Sequence, residues 1–178
     1  SNNSFSSFEV KIELTSKGLR NYKKIIQNVF QYLSLLRKSG LPHYIFDEVK
    51  RMSELDYRFA EKPEGTSLVN VFSTLMMYYP FRTVEIAPYM ITDFKPRIFD
   101  NMLYSLSPNN MLTVLAARDL KTSMKEEFYG VEYDLTYTDP ELVKKWRNSK
   151  TNYALKLPES NILLPESFDI IPYRGSIK

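Results

Sequence analysis

Phe8, Val10, Ile12 and Leu14 alternate with Glu9, Lys11 and Glu13. A repeat of two residues predicts a strand with one buried face. Thr15 follows as a helix N-cap, and Leu19, Tyr22, Ile26, Val29, Phe30, Leu33 and Leu36 then recur at helical spacing. Arg37 and Lys38 suit the negative end of that helix, and Gly40 suits the position just past it. Pro42 fits the first turn of a second helix, because the amide hydrogen it lacks would be unpaired there. Its apolar face is Ile45, Val49, Met52 and Phe59, with Phe46 and Leu55 alongside, and Pro63 and Gly65 end it. A third helix is predicted from Ser67 to Tyr78, on the stripe Val71, Leu75 and Tyr78. Pro80 and Pro88 bracket a short irregular piece. A fourth helix runs from Pro96 to Leu106 on Ile98, Met102 and Leu106, and Ser107–Asn110 is a turn.

The apolar run Met111–Ala116 reads as a second strand, a buried one. Val131, Tyr133, Leu135 and Tyr137, alternating with Glu132, Asp134 and Thr136, read as a third. Thr138 and Glu141 have capping-box spacing ahead of a last helix that buries Leu142, Val143 and Trp146. Beyond Lys150 the periodicity stops, and Pro158, Pro165 and Pro172 punctuate an extended tail. The pattern predicts an α+β fold: a helix-rich partial domain over residues 1–150, with about three strands in a small antiparallel sheet packed on helices, then a tail over residues 151–178. So thin a sheet for so many helices implies that a strand partner lies outside this chain.

Composition narrows the function. Of 178 residues, 43% are hydrophobic and 14% aromatic, enough apolar surface to offset ordering entropy. The net charge of +3 comes from 24 basic and 21 acidic residues with no basic cluster, which gives no nucleic-acid footprint. Tyr57-Arg58-Phe59 and Phe81-Arg82 interleave cations with aromatics, but amphipathic cover of helix surfaces explains them better than single-strand binding. Cysteine is absent, which removes disulfides, thiol catalysis and thiolate-bound zinc, and agrees with a reducing compartment such as the cytoplasm. No apolar run approaches the roughly 20 residues of a membrane span, and no signal pattern precedes Phe8. The chain starts at Ser1 without Met, which predicts a fragment or a processed or engineered end.

Catalytic parts are missing. His43 is the single histidine. A helix would bring Asp47 to its side, yet a catalytic zinc typically takes three protein ligands, and no third is indicated. The carboxylate pairs Asp47/Glu48, Glu126/Glu127 and Glu132/Asp134 read as solvated faces. There is no Gly-x-Ser-x-Gly and no phosphate-cradling glycine loop. No catalytic residue and no metal ligand is predicted for this segment.

Several stretches resemble one family. They are Ile12-Glu-Leu-Thr-Ser-Lys-Gly-Leu19, Val29-Phe-Gln-Tyr-Leu-Ser-Leu-Leu-Arg-Lys-Ser-Gly40, Ile45-Phe-Asp-Glu48, Tyr57-Arg-Phe59 with Glu61-Lys62, and Tyr78-Tyr-Pro80. Leu106-Ser-Pro-Asn-Asn110, Phe128-Tyr-Gly130, Val143-Lys-Lys-Trp-Arg-Asn148, Leu157-Pro-Glu-Ser-Asn161 and Pro165-Glu-Ser-Phe168 follow in order. Together they resemble the insulin-degrading enzyme and nardilysin subfamily of pitrilysin-type, inverted-zincin metallopeptidases, over nearly the whole chain. The resemblance implies a parent of four related α+β domains that closes around a peptide-holding chamber. It implies zinc in the first domain, held by a His-x-x-Glu-His motif and a distal Glu; this chain has no such motif.

By resemblance the chain is most of the second, non-catalytic domain, with residues 151–178 leading towards the connection between halves. The implied partners are the other domains and peptide substrates, with neither nucleic acid nor membrane. The isolated chain is expected to self-associate. Tyr57, Arg58 and Phe59 are the candidates for lining the chamber. The alternative is a stand-alone interaction module of the same descent, without peptidase activity. Phe128 stands where relatives often carry Trp, and Pro63-Glu-Gly65 replaces a more basic stretch; both bear on substrate preference.

Overall fold

Thr15 opens the helical part of the chain: its hydroxyl accepts a hydrogen bond from the Gly18 amide at 3.2 Å, satisfying a first-turn donor that has no helical partner. The computed structural model describes residues 7–61, 64–165 and 167–168. Ser1, Lys62, Pro63, Glu166 and Pro172 lie outside the described residues. Among the described residues the chain forms six α-helices and one two-stranded antiparallel sheet, an α+β composition dominated by helix. It divides into two units, each made of two separate stretches of sequence.

The first unit comprises Ser1–Ser39 and Asp100–Lys156. It holds α1 (Ser16–Arg20), α2 (Tyr22–Ser39), the C-terminal part of α5 (Pro96–Ser105), β1 (Met124–Lys125), β2 (Glu132–Tyr133) and α6 (Pro140–Arg147). The sequence predicts one helix where α1 and α2 stand. Asn21 separates them: its side-chain amide donates to the Lys17 carbonyl at 2.8 Å, diverting local bonding from the helix ladder. The core lies between α2 and α6, where Phe30, Leu33, Leu103 and Trp146 are buried. The Phe30 ring stacks near the Trp146 indole, with centroids 6.3 Å apart. Arg37 ties α2 to α5, donating to the carbonyls of Leu103 (2.9 Å) and Leu106 (2.7 Å). Pro108 is buried in a 3-10 turn, Pro108–Asn110, and Asn109 accepts from Arg147.

The expected strands need correction. Residues 8–14 and 111–116 form no ladder, and most of their side chains are exposed, including Phe8, Val10, Leu112 and Val114. Alternating polarity gives a strand its face, but a ladder needs a partner's backbone groups, and none among the described residues supplies them. The predicted third strand is present only as Glu132–Tyr133, and its partner, Met124–Lys125, carries no apolar pattern that would announce it. At the start of α6 the side-chain acceptor is Asp139, bonded to the Glu141 amide at 2.9 Å, in place of the expected Thr138.

The second unit comprises Gly40–Phe99 and Leu157–Lys178. It contains α3 (His43–Arg58), α4 (Gly65–Leu75) and a 3-10 turn at Ala87–Tyr89. Pro42 sits at the N-cap of α3, one position before the first turn. Phe46 packs edge-on to Phe94 at 5.1 Å, Ser53 donates to the Tyr89 carbonyl at 3.0 Å, and Val84 is buried. The predicted third helix is shifted two to three residues towards the N-terminus as α4, whose Leu68, Phe72 and Leu75 form a half-buried stripe.

Candidate functional site

The candidate residues Tyr57, Arg58 and Phe59 lie at the C-terminal end of α3, Phe59 being the residue that caps it. All three are exposed. Their neighbours are aromatic. The Tyr57 ring lies 5.5 Å from that of Tyr89, and the Phe59 ring 5.7 Å from that of Phe168. The Arg58 guanidinium sits 4.3 Å from the centroid of Phe168 and 5.7 Å from that of Phe59. The structure therefore joins the three candidates to two residues, Tyr89 and Phe168, that the sequence reading did not single out. Phe168 is remote in sequence, and the motif Pro165-Glu-Ser-Phe168 was the only signal for it. A guanidinium between aromatic faces binds by cation–π attraction and stacking, which suits holding a chain segment and supplies no proton transfer.

Upstream on α3, Tyr44, Glu48 and Arg51 face the returning segment of this unit. The Tyr44 hydroxyl donates to the Pro158 carbonyl at 2.6 Å, Glu48 accepts from the Asn161 amide at 2.8 Å, and Arg51 donates to the Pro165 carbonyl. A cleft of about 230 Å³ lies beside these bonds, lined by Asp47, Glu48, Arg51, Asn161, Ile162 and Leu164. It is small beside the roughly 300–1,000 Å³ of ordinary small-molecule pockets.

His43 and Asp47 do meet, with Nδ1 2.7 Å from the carboxylate, both well exposed. The imidazole also packs against Phe94 at 4.6 Å. Among the described residues no group of three His, Cys, Asp or Glu side chains could hold a metal ion. Two donors on an open helix face do not fit a zinc site, which typically takes three protein ligands. The displaced carboxylates lie elsewhere. Asp93 is held below the usual carboxylate range by the hydrogen bond and charge of Lys95, at 2.7 Å. Glu126 is lowered by the amides of Phe128 and Tyr129, and Asp134 by the hydroxyl and amide of Ser123. A general acid at neutral pH needs the opposite displacement.

The described residues thus show a helix-rich chain in which one face of α3 bonds to the backbone of a returning segment. The chain belongs to the M16 peptidase family: residues 57–176 match the model described as the middle or third domain of peptidase M16. It is 31% identical over 170 residues to insulin-degrading enzyme of Homo sapiens, covering 94% of this chain and 17% of that protein. With insulin-degrading enzyme of Drosophila melanogaster it shares 33% identity over 170 residues, again 94% and 17% of the two chains. A crystal structure of pitrilysin superposes with a TM-score of 0.76 at 24% identity, over 89% of this chain and 17% of that one, a likeness of fold. The chain thus spans about a sixth of the length of these relatives. It is an insulinase-like, metallopeptidase-family domain, and none of its described helices is long and apolar enough to cross a membrane.

Proposed function

We propose that this chain is a structural wall of a peptide-enclosing chamber in a zinc metalloendopeptidase, in the position of the second domain. Hydrolysis would be carried by zinc held in another domain of the parent polypeptide. The observation that carries the reading is the match of residues 57–176 to a middle or third M16 domain in a chain whose one histidine has a single carboxylate beside it. Tyr57, Arg58 and Phe59 are the chamber-lining side chains in this reading: exposed aromatic and guanidinium groups grip extended peptides without cleaving them.

The exposed apolar surface supports partners of the same polypeptide. Among the described residues Leu112, Val114, Phe128, Tyr129 and Leu135 of the first unit are each at least three-quarters exposed. In the second unit Val69 on α4 and Met77 and Phe81 after it are also open. Apolar area on this scale marks surface that neighbouring domains cover, and it gives the isolated chain a tendency to self-associate.

Two assays test the proposal. The 178-residue chain, incubated with a quenched fluorogenic peptide, gives no turnover with or without added zinc. Chelator-sensitive cleavage that survives repurification overturns the reading. In the parent polypeptide, Phe59→Ala and Arg58→Ala raise KM for peptides several-fold and leave kcat nearly unchanged, as loss of uniform binding requires. Loss of kcat alone, with KM fixed, removes these residues from peptide binding.

A further inference from the structure

Tyr44, Glu48, Arg51 and Arg58 recur along α3 at spacings of four, three and seven residues, which puts them on one face of the helix. Each touches the segment Pro158–Phe168, in the same order along the helix and along the segment. Tyr44 meets Pro158, Glu48 meets Asn161, Arg51 meets Pro165, and Arg58 meets Phe168. Three of the four contacts are to backbone groups: two carbonyls and one amide. The fourth is an aromatic ring over a guanidinium.

The segment is shaped for this. Asn161 accepts from the Leu163 amide through its own side chain at 3.0 Å, forming a tight turn that leaves Ile162 (91% exposed) and Leu163 (85% exposed) standing clear. Apolar packing of those two side chains therefore does not hold the segment down. It is held by the row of polar side chains on α3 that meet its backbone, with Leu164 half-buried and the Phe168 ring against Arg58 and Phe59.

We infer that this face of α3 is a docking groove for an extended, proline-interrupted peptide. It recognises two carbonyls, one amide and a terminal aromatic ring, and its occupant here is the chain's own segment Pro158–Phe168. Backbone recognition makes the groove tolerant of sequence between the anchor points. The covalently attached occupant acts as an intramolecular competitor, since tethering gives it an effective concentration that a free peptide must overcome. Weakening the attached segment, without touching α3, opens the groove to the same peptide added from solution. The inference stands on these contacts and does not depend on the peptidase reading.

The test uses the full 178-residue chain and a fluorescein-labelled peptide with the sequence of residues 157–168. The double substitution Asn161→Pro and Phe168→Ala removes the amide donor and the ring from the attached segment and leaves α3 intact. This variant binds the peptide about tenfold or more tightly than the unaltered chain does, because the internal competitor is weakened. Adding Arg51→Ala and Arg58→Ala to the variant abolishes the gain. No gain in the double variant, or a gain indifferent to Arg51 and Arg58, overturns the inference. Amide hydrogen exchange on the full chain gives a second readout. Glu48→Ala speeds exchange at Asn161 by about tenfold while α2 and α6 keep their protection, and unchanged exchange at Asn161 sinks the proposal.

Discussion

The Phe30 ring on α2 lies nearly parallel to the Trp146 indole on α6, inclined by 20° with centroids 6.3 Å apart, and both side chains are at most 5% exposed. No other buried aromatic pair occurs among the described residues, so these two rings dominate the core of the first unit. Trp146→Ala should destabilise the chain by about 3–5 kcal/mol, and Trp146→Phe by less. Urea unfolding followed by circular dichroism measures both. Equal midpoints for Trp146→Ala and the unaltered chain would remove the pair from the core.

Arg37 anchors the end of α5. Leu103 is among the last residues of that helix, where carbonyls lack helical partners, and the guanidinium reaches its carbonyl and that of Leu106 together. Arg37→Ala should cost about 1.5–3 kcal/mol, the usual worth of a hydrogen bond to a charged group. Arg37→Lys should recover only part, because a single ammonium lacks the planar fork. The denaturation midpoint distinguishes the three chains.

Gly40 has φ +65° and nothing within 4 Å of the position a Cβ would take, so any cost of a side chain there is purely conformational. Gly40→Ala should lose about 1–2 kcal/mol. Gly40→Asn should lose less, since asparagine tolerates the left-handed region. At Gly130, φ +67°, an added Cβ would also lie 3.1 Å from Lys125 Cε. Lys125 can swing its flexible end aside, so Gly130→Ala should strain the turn through its positive φ and loosen the β1–β2 hairpin, seen as weaker cross-strand contacts between Met124 and Tyr133 by NMR. Intact contacts would show that the turn accommodates a side chain.

Glu126 accepts from the amides of Phe128 (2.7 Å) and Tyr129 (2.6 Å), which lowers its pKa. A carboxylate whose folded pKa is depressed stabilises above its unfolded pKa, and that contribution is lost as pH falls through the folded value. The hairpin should thus be fully capped at neutral pH and loosen only in acid. The amide shifts of Phe128 and Tyr129 should titrate with a midpoint below that of an ordinary glutamate, and Glu126→Gln should abolish the titration. A midpoint at or above the ordinary value contradicts the capping.

The helices were legible because their signals are local. Leu142, Val143 and Trp146 sit on the predicted face of α6, and Thr15 caps where its position says it should. The strands were not, because a strand is defined by its partner: Phe8, Val10 and Ile12 alternate well and still find no ladder among the described residues. Asn21 escaped notice because one polar residue inside an apolar repeat looks like a solvent-facing helix position until its side chain is seen bonding to Lys17. For the candidate site, Tyr57, Arg58 and Phe59 could be named from a short motif. Phe168 could not be joined to them, since no local pattern reports a contact across so much chain.

That separation has a consequence for how the protein is made. Tyr44 bonds to a residue 114 positions later, so the second unit cannot be completed while the chain is only partly synthesised. At roughly 5–20 residues per second, α3 would wait some 6–23 s on the ribosome for its partner segment. The first unit waits as well, since Gln31 bonds to Asn152, 121 positions on. Both units therefore close late and almost together, and a nascent chain stalled before Pro158 would present α3 with its polar row empty.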